Sequence, residues 1–296
     1  LCEPGMDANN AGTLMNGGRR FSNNGKPYFH HCGVSAYSQF TIAMSESLVK
    51  VDDDLPFEHA TLFGCAVMTG TGAAFNTANI RPGQSVAVFG LGGVGLSALM
   101  GAKACAAGRL IAVDLLESKL ELARELGATD TVNAGECAPV EAIRDLTNGG
   151  VEIAIESVGN VKVLEQAYKS SMRGGTTVAI GLPHPEHELK IPAVTLSAEE
   201  KTLKGSYQGS CVPSRDIPRF IELFRAGQLP VEKLLTGIIP LEEINAGFVR
   251  LHHGEVVRNE EHGQGVSLFH IPEQVENLRL DRYVERGDRL VADQKI

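Results

Sequence analysis

Short runs of apolar and β-branched residues alternate with longer segments of helical periodicity from Gln84 onward. This alternation is typical of βαβ units, in which helices connect parallel strands that are buried on both faces. A turn signal, Arg81-Pro82-Gly83, precedes the first run. The sequence therefore predicts an α/β fold with a doubly wound, six-stranded parallel sheet. The six runs lie at residues 85–89, 110–113, 131–132, 151–155, 176–180 and, more weakly, near 202–204.

The segments between these runs carry apolar residues at helical spacing. In residues 117–125, Leu120, Ala123 and Leu126 share one face, charged residues occupy the other, and Gly127 falls at the position that follows a helix. Further helices are predicted at residues 96–105, 163–172, 214–226 and 241–251.

The first 64 residues differ from this pattern, because they are rich in Gly and Asn and have weak periodicity. They predict loops and short strands of a second lobe, to which the two last helices would return the chain. We therefore divide the chain into a remnant of that lobe (1–66), an α/β domain (67–209), the return to the second lobe (210–258) and an atypical tail (259–296).

Composition and charge exclude several functional classes. The chain has 296 residues and a net charge of −9, from 27 Lys+Arg and 36 Asp+Glu, which disfavours nucleic acid and anionic membrane surfaces as partners. No window approaches the roughly 18–20 apolar residues of a membrane span. The six cysteines form no CxxC pair, which favours a reducing cytoplasm. The start at Leu1 suggests a fragment or a processed chain.

The strongest chemical signal is the motif Gly90-Leu91-Gly92-Gly93-Val94-Gly95, which lies directly between the first predicted strand and a predicted helix. Gly90 permits a tight turn, Gly92 lets the backbone approach a pyrophosphate, and Gly95 allows close packing of the helix on the strand. The N-terminus of the helix offers N–H groups and partial positive charge to the phosphates. The motif therefore predicts a bound dinucleotide.

Asp114 indicates which dinucleotide is bound. It ends the second predicted strand, 19 residues after Gly95, near the spacing of the acid that accepts hydrogen bonds from the adenine ribose. Its carboxylate would repel a 2′-phosphate, so NAD is favoured over NADP. The alternative is a strand-to-helix turn without a ligand and an exposed Asp.

Several further motifs carry a family resemblance. With Gly64-Cys65, Thr69-Gly70-Thr71-Gly72-Ala73, Ile80-Arg81-Pro82-Gly83 and Leu126-Gly127-Ala128-Thr129, the chain resembles the zinc-containing medium-chain alcohol dehydrogenase family from Leu1 to about Arg258. The resemblance implies a Rossmann domain plus an incomplete, mostly β (GroES-like) catalytic domain.

The resemblance also implies two zinc sites, each incomplete in this sequence. Cys65 occupies the place of the last catalytic zinc ligand, and Cys2 that of the fourth structural cysteine, whereas the other ligands belong upstream of Leu1. Thiolate sulfur is a preferred zinc ligand. His30-His31 with Cys32 could also be imagined as a site, but we expect solvated loop histidines there.

Further positions are assigned by resemblance alone. Thr69 would line the nicotinamide pocket, Lys119 contact a ribose, Ser157 and Val158 form the wall of the adenosine cleft, Ile180-Gly181-Leu182 face the carboxamide, and Arg258 lie near the pyrophosphate. The alternatives are core packing for the apolar members and Thr69, and solvated charges for Lys119 and Arg258.

These features predict an oxidoreductase that transfers a hydride between an alcohol, or an alcohol-like adduct, and NAD, with zinc as Lewis acid. Small alcohols or aldehydes are the expected substrates. The resemblance also implies a homo-oligomer, because in this family the sheet edge near residues 202–205 pairs with its twofold mate and would otherwise be unpaired. Two alternatives stay open: a zinc-free enone or quinone reductase of the same superfamily, and a nucleotide-binding fragment without catalysis.

Overall fold

The computed structural model describes residues 2–34, 37 and 40–252, and the side chains of these residues up to 249. The strands are β1 (Ser22–Asn23), β2 (Lys26–Pro27), β3 (Ser85–Phe89), β4 (Arg109–Asp114), β5 (Asp130–Asn133), β6 (Val151–Glu156), β7 (Ser171–Ala179) and β8 (Thr202–Gly205). The helices are α1 (Glu3–Ala11), α2 (Phe57–Phe63), α3 (Ala66–Gly72), α4 (Gly93–Ala104), α5 (Glu117–Leu126), α6 (Pro139–Thr147), α7 (Val161–Ser170), α8 (Val194–Ala198), α9 (Pro213–Arg225) and α10 (Ile244–His252).

Strands β3 to β8 form one parallel sheet in the order β5-β4-β3-β6-β7-β8. The predicted doubly wound, six-stranded sheet is confirmed. The chain moves outward from β3 to β5 and then crosses back to β6 beside β3, so the direction of winding reverses between β3 and β6. In open α/β sheets a crevice forms at such a switch point, outside the carboxyl ends of the strands.

The sheet is held by an apolar layer on each face. Successive side chains of a strand point to opposite faces, so Val86 and Val88 pack on the side of α4 and α5, whereas Ala87 and Phe89 pack on the side of α6 and α7. This double burial explains why the strands are continuous apolar runs in the sequence.

Helix α5 and its end agree closely with the prediction. Leu120, Ala123 and Leu126 are its buried residues, and Gly127 has a φ of 110°, in the left-handed region. The helices predicted at 163–172 and 214–226 are observed as α7 and α9, each within two residues of the predicted bounds.

The prediction for the first 64 residues was wrong in part, because α1 and α2 lie where loops and short strands were expected. Helices α3, α6 and α8 were not predicted either, and α3 continues as a π-helical segment over Ala73–Ala78. Gly70 and Gly72 are poor helix formers, so the sequence gives little signal for α3, and packing against α4 determines its conformation. No helix among the described residues is long and apolar enough to cross a membrane. Arg258 and the predicted tail lie outside the described residues.

Candidate functional site

The glycine motif forms the turn between β3 and α4. Gly90 has a φ of 86°, and its N–H donates to the carbonyl of Val113 at 2.9 Å. Gly92 precedes the first turn of α4, and a Cβ at Gly92 would meet no atom within 4 Å. A Cβ at Gly95 would overlap the carbonyl oxygen of Gly90. Glycine is needed at position 90 for the backbone conformation and at position 95 because a side chain would not fit there. Gly92, by contrast, leaves open space beside the N-terminus of α4.

Asp114 joins this turn to the end of β4. Its Oδ2 accepts the N–H of Leu91 at 2.7 Å, and its Oδ1 accepts the N–H groups of Leu115 and Leu116 at 2.8 and 3.1 Å. A carboxylate has about four acceptor positions, so these bonds fix its orientation and leave capacity for a hydroxyl donor. The acid and the glycine turn are thus parts of one site.

Lys119 lies in α5 near this carboxylate. Partial burial lowers the pKa of its ammonium group, while the negative charge of Asp114 acts in the opposite direction. The predicted ribose-contacting residues Asp114 and Lys119 are therefore brought together.

The residues after β6 form the opposite wall of the crevice. The Ser157 hydroxyl lies 3.1 Å from the carbonyl oxygen of Phe89 and 3.0 Å from that of Gly90, and it donates to them. Val158 packs over Gly90, yet 53% of it remains exposed. Ligand sites are lined mainly by apolar side chains beside a few polar groups, and the exposed Val158 beside the polar turn provides a surface of this kind.

The segment after β7 lies next to this wall. Ile180 is buried in the core and Leu182 is 55% exposed. Gly181 packs so closely on the backbone N–H of Gly159 that a Cβ would overlap it. The predicted wall residues after β6 and the segment predicted to face the carboxamide therefore lie side by side at the same crevice.

Glu156, the last residue of β6, was missed by the sequence reasoning. It is 1% exposed, and its Oε1 accepts the N–H groups of Val158 and Gly159, each at 2.7 Å. Burial raises the pKa of this carboxyl group, whereas hydrogen bonds from backbone N–H groups, including those of Asn160 and Gly181, lower it. The available signal was a charged residue that ends the strand directly after the apolar run Ile153-Ala154-Ile155.

Cys65 and Thr69 lie at the start of α3, one helical turn apart. The N–H of Thr69 donates to the carbonyl of Cys65 at 2.9 Å. The Cys65 side chain is partly exposed, and partial burial together with the nearby thiol of Cys32 raises its pKa. Cys2 stands exposed before α1.

The described residues do not form a zinc site. Among residues 2–34, 37 and 40–252, no three His, Cys, Asp or Glu side chains are grouped so as to hold a metal ion. The expectation of solvated histidines was wrong for His30, which is buried: its Nε2 accepts the N–H of Arg20 at 3.1 Å and its ring lies 5.1 Å from that of Phe21.

Comparison with known proteins agrees with this geometry. A family model described as zinc-binding dehydrogenase matches residues 93–226. The chain is 38% identical over 251 residues to alcohol dehydrogenase 1 of Cenchrus americanus, covering 83% of this chain and 66% of that protein. It is 37% identical over 261 residues to S-(hydroxymethyl)glutathione dehydrogenase of Escherichia coli O1:K1 / APEC, covering 87% and 70%.

Two solved structures are similar over most of the chain. One is an alcohol dehydrogenase zinc-binding domain protein from Burkholderia ambifaria, with a TM-score of 0.77 and 32% identity, covering 86% of this chain and 72% of that one. The other is benzyl alcohol dehydrogenase from Acinetobacter calcoaceticus, with a TM-score of 0.75, 32% identity and the same coverage. Of the curated relatives, alcohol dehydrogenase 1 of Cenchrus americanus is matched over slightly less than two thirds of its own length.

Proposed function

This chain belongs to the zinc-containing medium-chain alcohol dehydrogenase family, and we propose that it binds NAD in the crevice at the carboxyl ends of β3, β4 and β6. The observation that carries the proposal is the 2.7 Å hydrogen bond from the Leu91 N–H to Asp114, which joins the glycine turn to the acid. We further propose that the protein is an oxidoreductase acting on a small alcohol, an aldehyde or an alcohol-like adduct.

Each wall of the crevice has a proposed task. The first turn of α4 would bind the pyrophosphate through backbone N–H groups, since Gly92 leaves the space for its approach. Asp114 would accept a ribose hydroxyl, with Lys119 beside it. Val158 and Leu182, both exposed, would cover the bound dinucleotide. When bound, the nicotinamide supplies the acceptor or donor of the hydride.

Thr69 and Cys65 would lie on the substrate side of the site. We propose Cys65 as one zinc ligand and Cys2 as one ligand of a second, structural zinc. A catalytic zinc is typically held by three protein ligands, and the described residues do not complete either set. We therefore derive no step of alcohol oxidation through zinc, and we expect this chain by itself to bind NAD without rapid turnover.

A second candidate is a nucleotide-binding unit without catalysis, because the glycine turn and its hydrogen bond to Asp114 account for cofactor binding alone. Turnover by the isolated chain would exclude the second candidate, whereas a lack of turnover would exclude neither. NAD binding by residues 1–296 with no alcohol oxidation fits either candidate. Oxidation at an ordinary enzyme rate, about 1–10³ per second, together with one equivalent of zinc, would contradict both this second candidate and our expectation for the isolated chain.

The test of cofactor binding is calorimetric titration of the chain with NAD and NADP. We expect NAD to bind at least about tenfold more tightly, because a 2′-phosphate would face the Asp114 carboxylate. Equal affinity for the two cofactors would overturn the assignment of NAD, and failure to bind either would overturn the proposed site.

We also propose assembly and location. Among the residues that the structure describes, β8 pairs with β7 alone, so we propose that its outer edge pairs with a second copy of the chain. Light scattering that shows only a monomer at micromolar concentration would contradict this assembly.

The six cysteines, all within the described residues, are free thiols, which supports a reducing, cytoplasmic location.

A further inference from the structure

Glu156 is a buried carboxylate that the proposed chemistry does not use. It ends β6 with 1% exposure. Burial of a charged group is costly unless hydrogen bonds compensate for the lost water. The contacts of Glu156 therefore indicate why a carboxylate is present at this position.

Those contacts join two loops that are distant in sequence. The side-chain Oε1 accepts the N–H groups of Val158 and Gly159 at 2.7 Å. The main-chain carbonyl of Glu156 accepts the N–H groups of Ile180 and Gly181 at 2.8 and 3.2 Å. A Cβ at Gly181 would lie 2.8 Å from Oε2 of Glu156, so this loop passes directly over the carboxylate.

The loop after β6 contacts the glycine turn, and the loop after β7 contacts the loop after β6. The Ser157 hydroxyl donates to the carbonyls of Phe89 and Gly90. A Cβ at Gly159 would lie 3.0 Å from the carbonyl oxygen of Leu182, so the two loops are in backbone contact. The carboxylate of Glu156 thus lies beneath the point where the walls of the crevice meet.

We propose that Glu156 is a positioning residue for the dinucleotide: its carboxylate holds the loop after β6 and the loop after β7 at the separation that places Val158 and Leu182 against the cofactor. This inference rests on the proposed function, because the crevice is assigned to NAD there. Glu156 acts through these loops and has no contact with the cofactor in this proposal.

The chemistry of the contacts explains why neither glutamine nor aspartate can replace it. A carboxylate only accepts hydrogen bonds, and backbone N–H groups surround it. In Glu156→Gln an NH2 group replaces one carboxylate oxygen. This donor would face the backbone N–H donors that surround the side chain, and the hydrogen bonds to that oxygen would be lost. In Glu156→Asp the charge remains, but the side chain is one methylene shorter and the bonds to Val158 and Gly159 lengthen.

Glu152 provides a matched control on the same strand. Its Oε2 accepts the N–H of Ser85 at 2.8 Å, so it too bonds to the backbone, but it lies near the beginning of β6, away from the crevice. Glu152→Gln therefore makes the same chemical change at the opposite end of the strand.

The experiment compares wild type, Glu156→Gln, Glu156→Asp and Glu152→Gln. NAD affinity is measured by calorimetry, thermal stability by the melting temperature, and local structure by amide hydrogen exchange. We expect Glu156→Gln to bind NAD at least about tenfold more weakly and to exchange the Val158 and Gly159 amides faster. Glu156→Asp should fall between wild type and Glu156→Gln. Glu152→Gln should keep its NAD affinity within about twofold, even at an equal loss of melting temperature.

Three results would overturn the inference. Glu156→Gln could bind NAD within twofold of wild type, or Glu152→Gln could lose as much affinity. The third result applies if Glu156→Gln does not fold: the Glu156→Asp chain could then bind NAD as tightly as wild type. A wild-type chain that binds no NAD would instead overturn the proposed function, and this inference with it. The two failures are therefore distinguishable.

Discussion

The two glycines at positions 92 and 95 lie three residues apart in one motif, yet the structure gives them different roles. We expect Gly95→Ala to destabilise the fold by about 2 kcal/mol. The new Cβ would overlap the carbonyl oxygen of Gly90 and lie 2.9 Å from its carbonyl carbon and 2.7 Å from the Ser157 Oγ. Carbon atoms pack best at about 3.5–4.0 Å, and the overlap with the carbonyl oxygen is closer still, so the turn or the helix must shift by more than about 1 Å.

Neither side can shift freely. The N–H of Gly90 is bonded to β4, its carbonyl accepts the Ser157 hydroxyl, and its positive φ fixes the turn. Overpacking of this kind costs about 1–3 kcal/mol, or occasionally more. Alanine recovers up to about 1 kcal/mol through its helix propensity. For a chain of this size, a net loss near 2 kcal/mol lowers the melting temperature by about 4–8 °C.

Gly92→Ala is the control, because its Cβ would meet no atom and its φ is −71°. At this helix-capping position alanine costs less than about 1 kcal/mol relative to glycine. We expect little loss of melting temperature but at least about a tenfold loss of NAD affinity, since the methyl group would occupy the space proposed for the pyrophosphate. Thermal melting and calorimetry check both variants. A Gly95→Ala chain that melts within 1 °C of wild type, or a Gly92→Ala chain that is the less stable of the two, would refute this reasoning.

Two further predictions concern aspartates. Asp114→Ala should weaken NAD binding and reduce the preference for NAD over NADP, as measured by calorimetry; an unchanged ratio of affinities would contradict the role given to this carboxylate. The hydrogen-bonded Arg215 lowers the pKa of the buried Asp216 in the folded state. Its stabilisation is therefore complete above the ordinary aspartate value of about 4 and is lost as the pH falls below it. Asp216→Asn should flatten the fall in melting temperature between about pH 5 and 3; parallel curves for the two chains would count against this account.

The sequence predicts the sheet well because parallel strands are buried on both faces. In β3, four of the five residues are buried, and each apolar residue is needed by one of the two layers. The glycine motif and Asp114 could be assigned to one site from the sequence, because they follow adjacent parallel strands whose carboxyl ends lie side by side. Local pattern and fold agree there.

Where the sequence reasoning failed, the cause is a contact between distant segments. Helix α3 contains Gly70 and Gly72, and local propensity disfavours it. A Cβ at Gly70 would lie 2.6 Å from the backbone nitrogen of Ala98, and a Cβ at Gly72 would lie 2.6 Å from the carbonyl oxygen of Gly209. These glycines allow close approach rather than a turn, which only the tertiary structure reveals. Glu156 is similar, because its backbone partners lie in two loops and no pairing with another side chain marks it in the sequence.

The same close approach links the two halves of the proposed site. Helix α3 begins directly after Cys65 and carries Thr69, while α4 begins within the glycine motif. The two helices pack together at Gly70, and the Thr71 hydroxyl donates to the Ser97 carbonyl at 3.3 Å. Because both helices are rigid over this short distance, their contact fixes where Cys65 lies relative to the turn proposed for the pyrophosphate. The proposed cofactor crevice is formed by loops at the carboxyl ends of the strands, whereas the proposed zinc ligands Cys2 and Cys65 lie outside the sheet. We therefore expect cofactor binding to be separable from metal binding, with Gly70 at the helix contact that sets the distance between the two proposed sites.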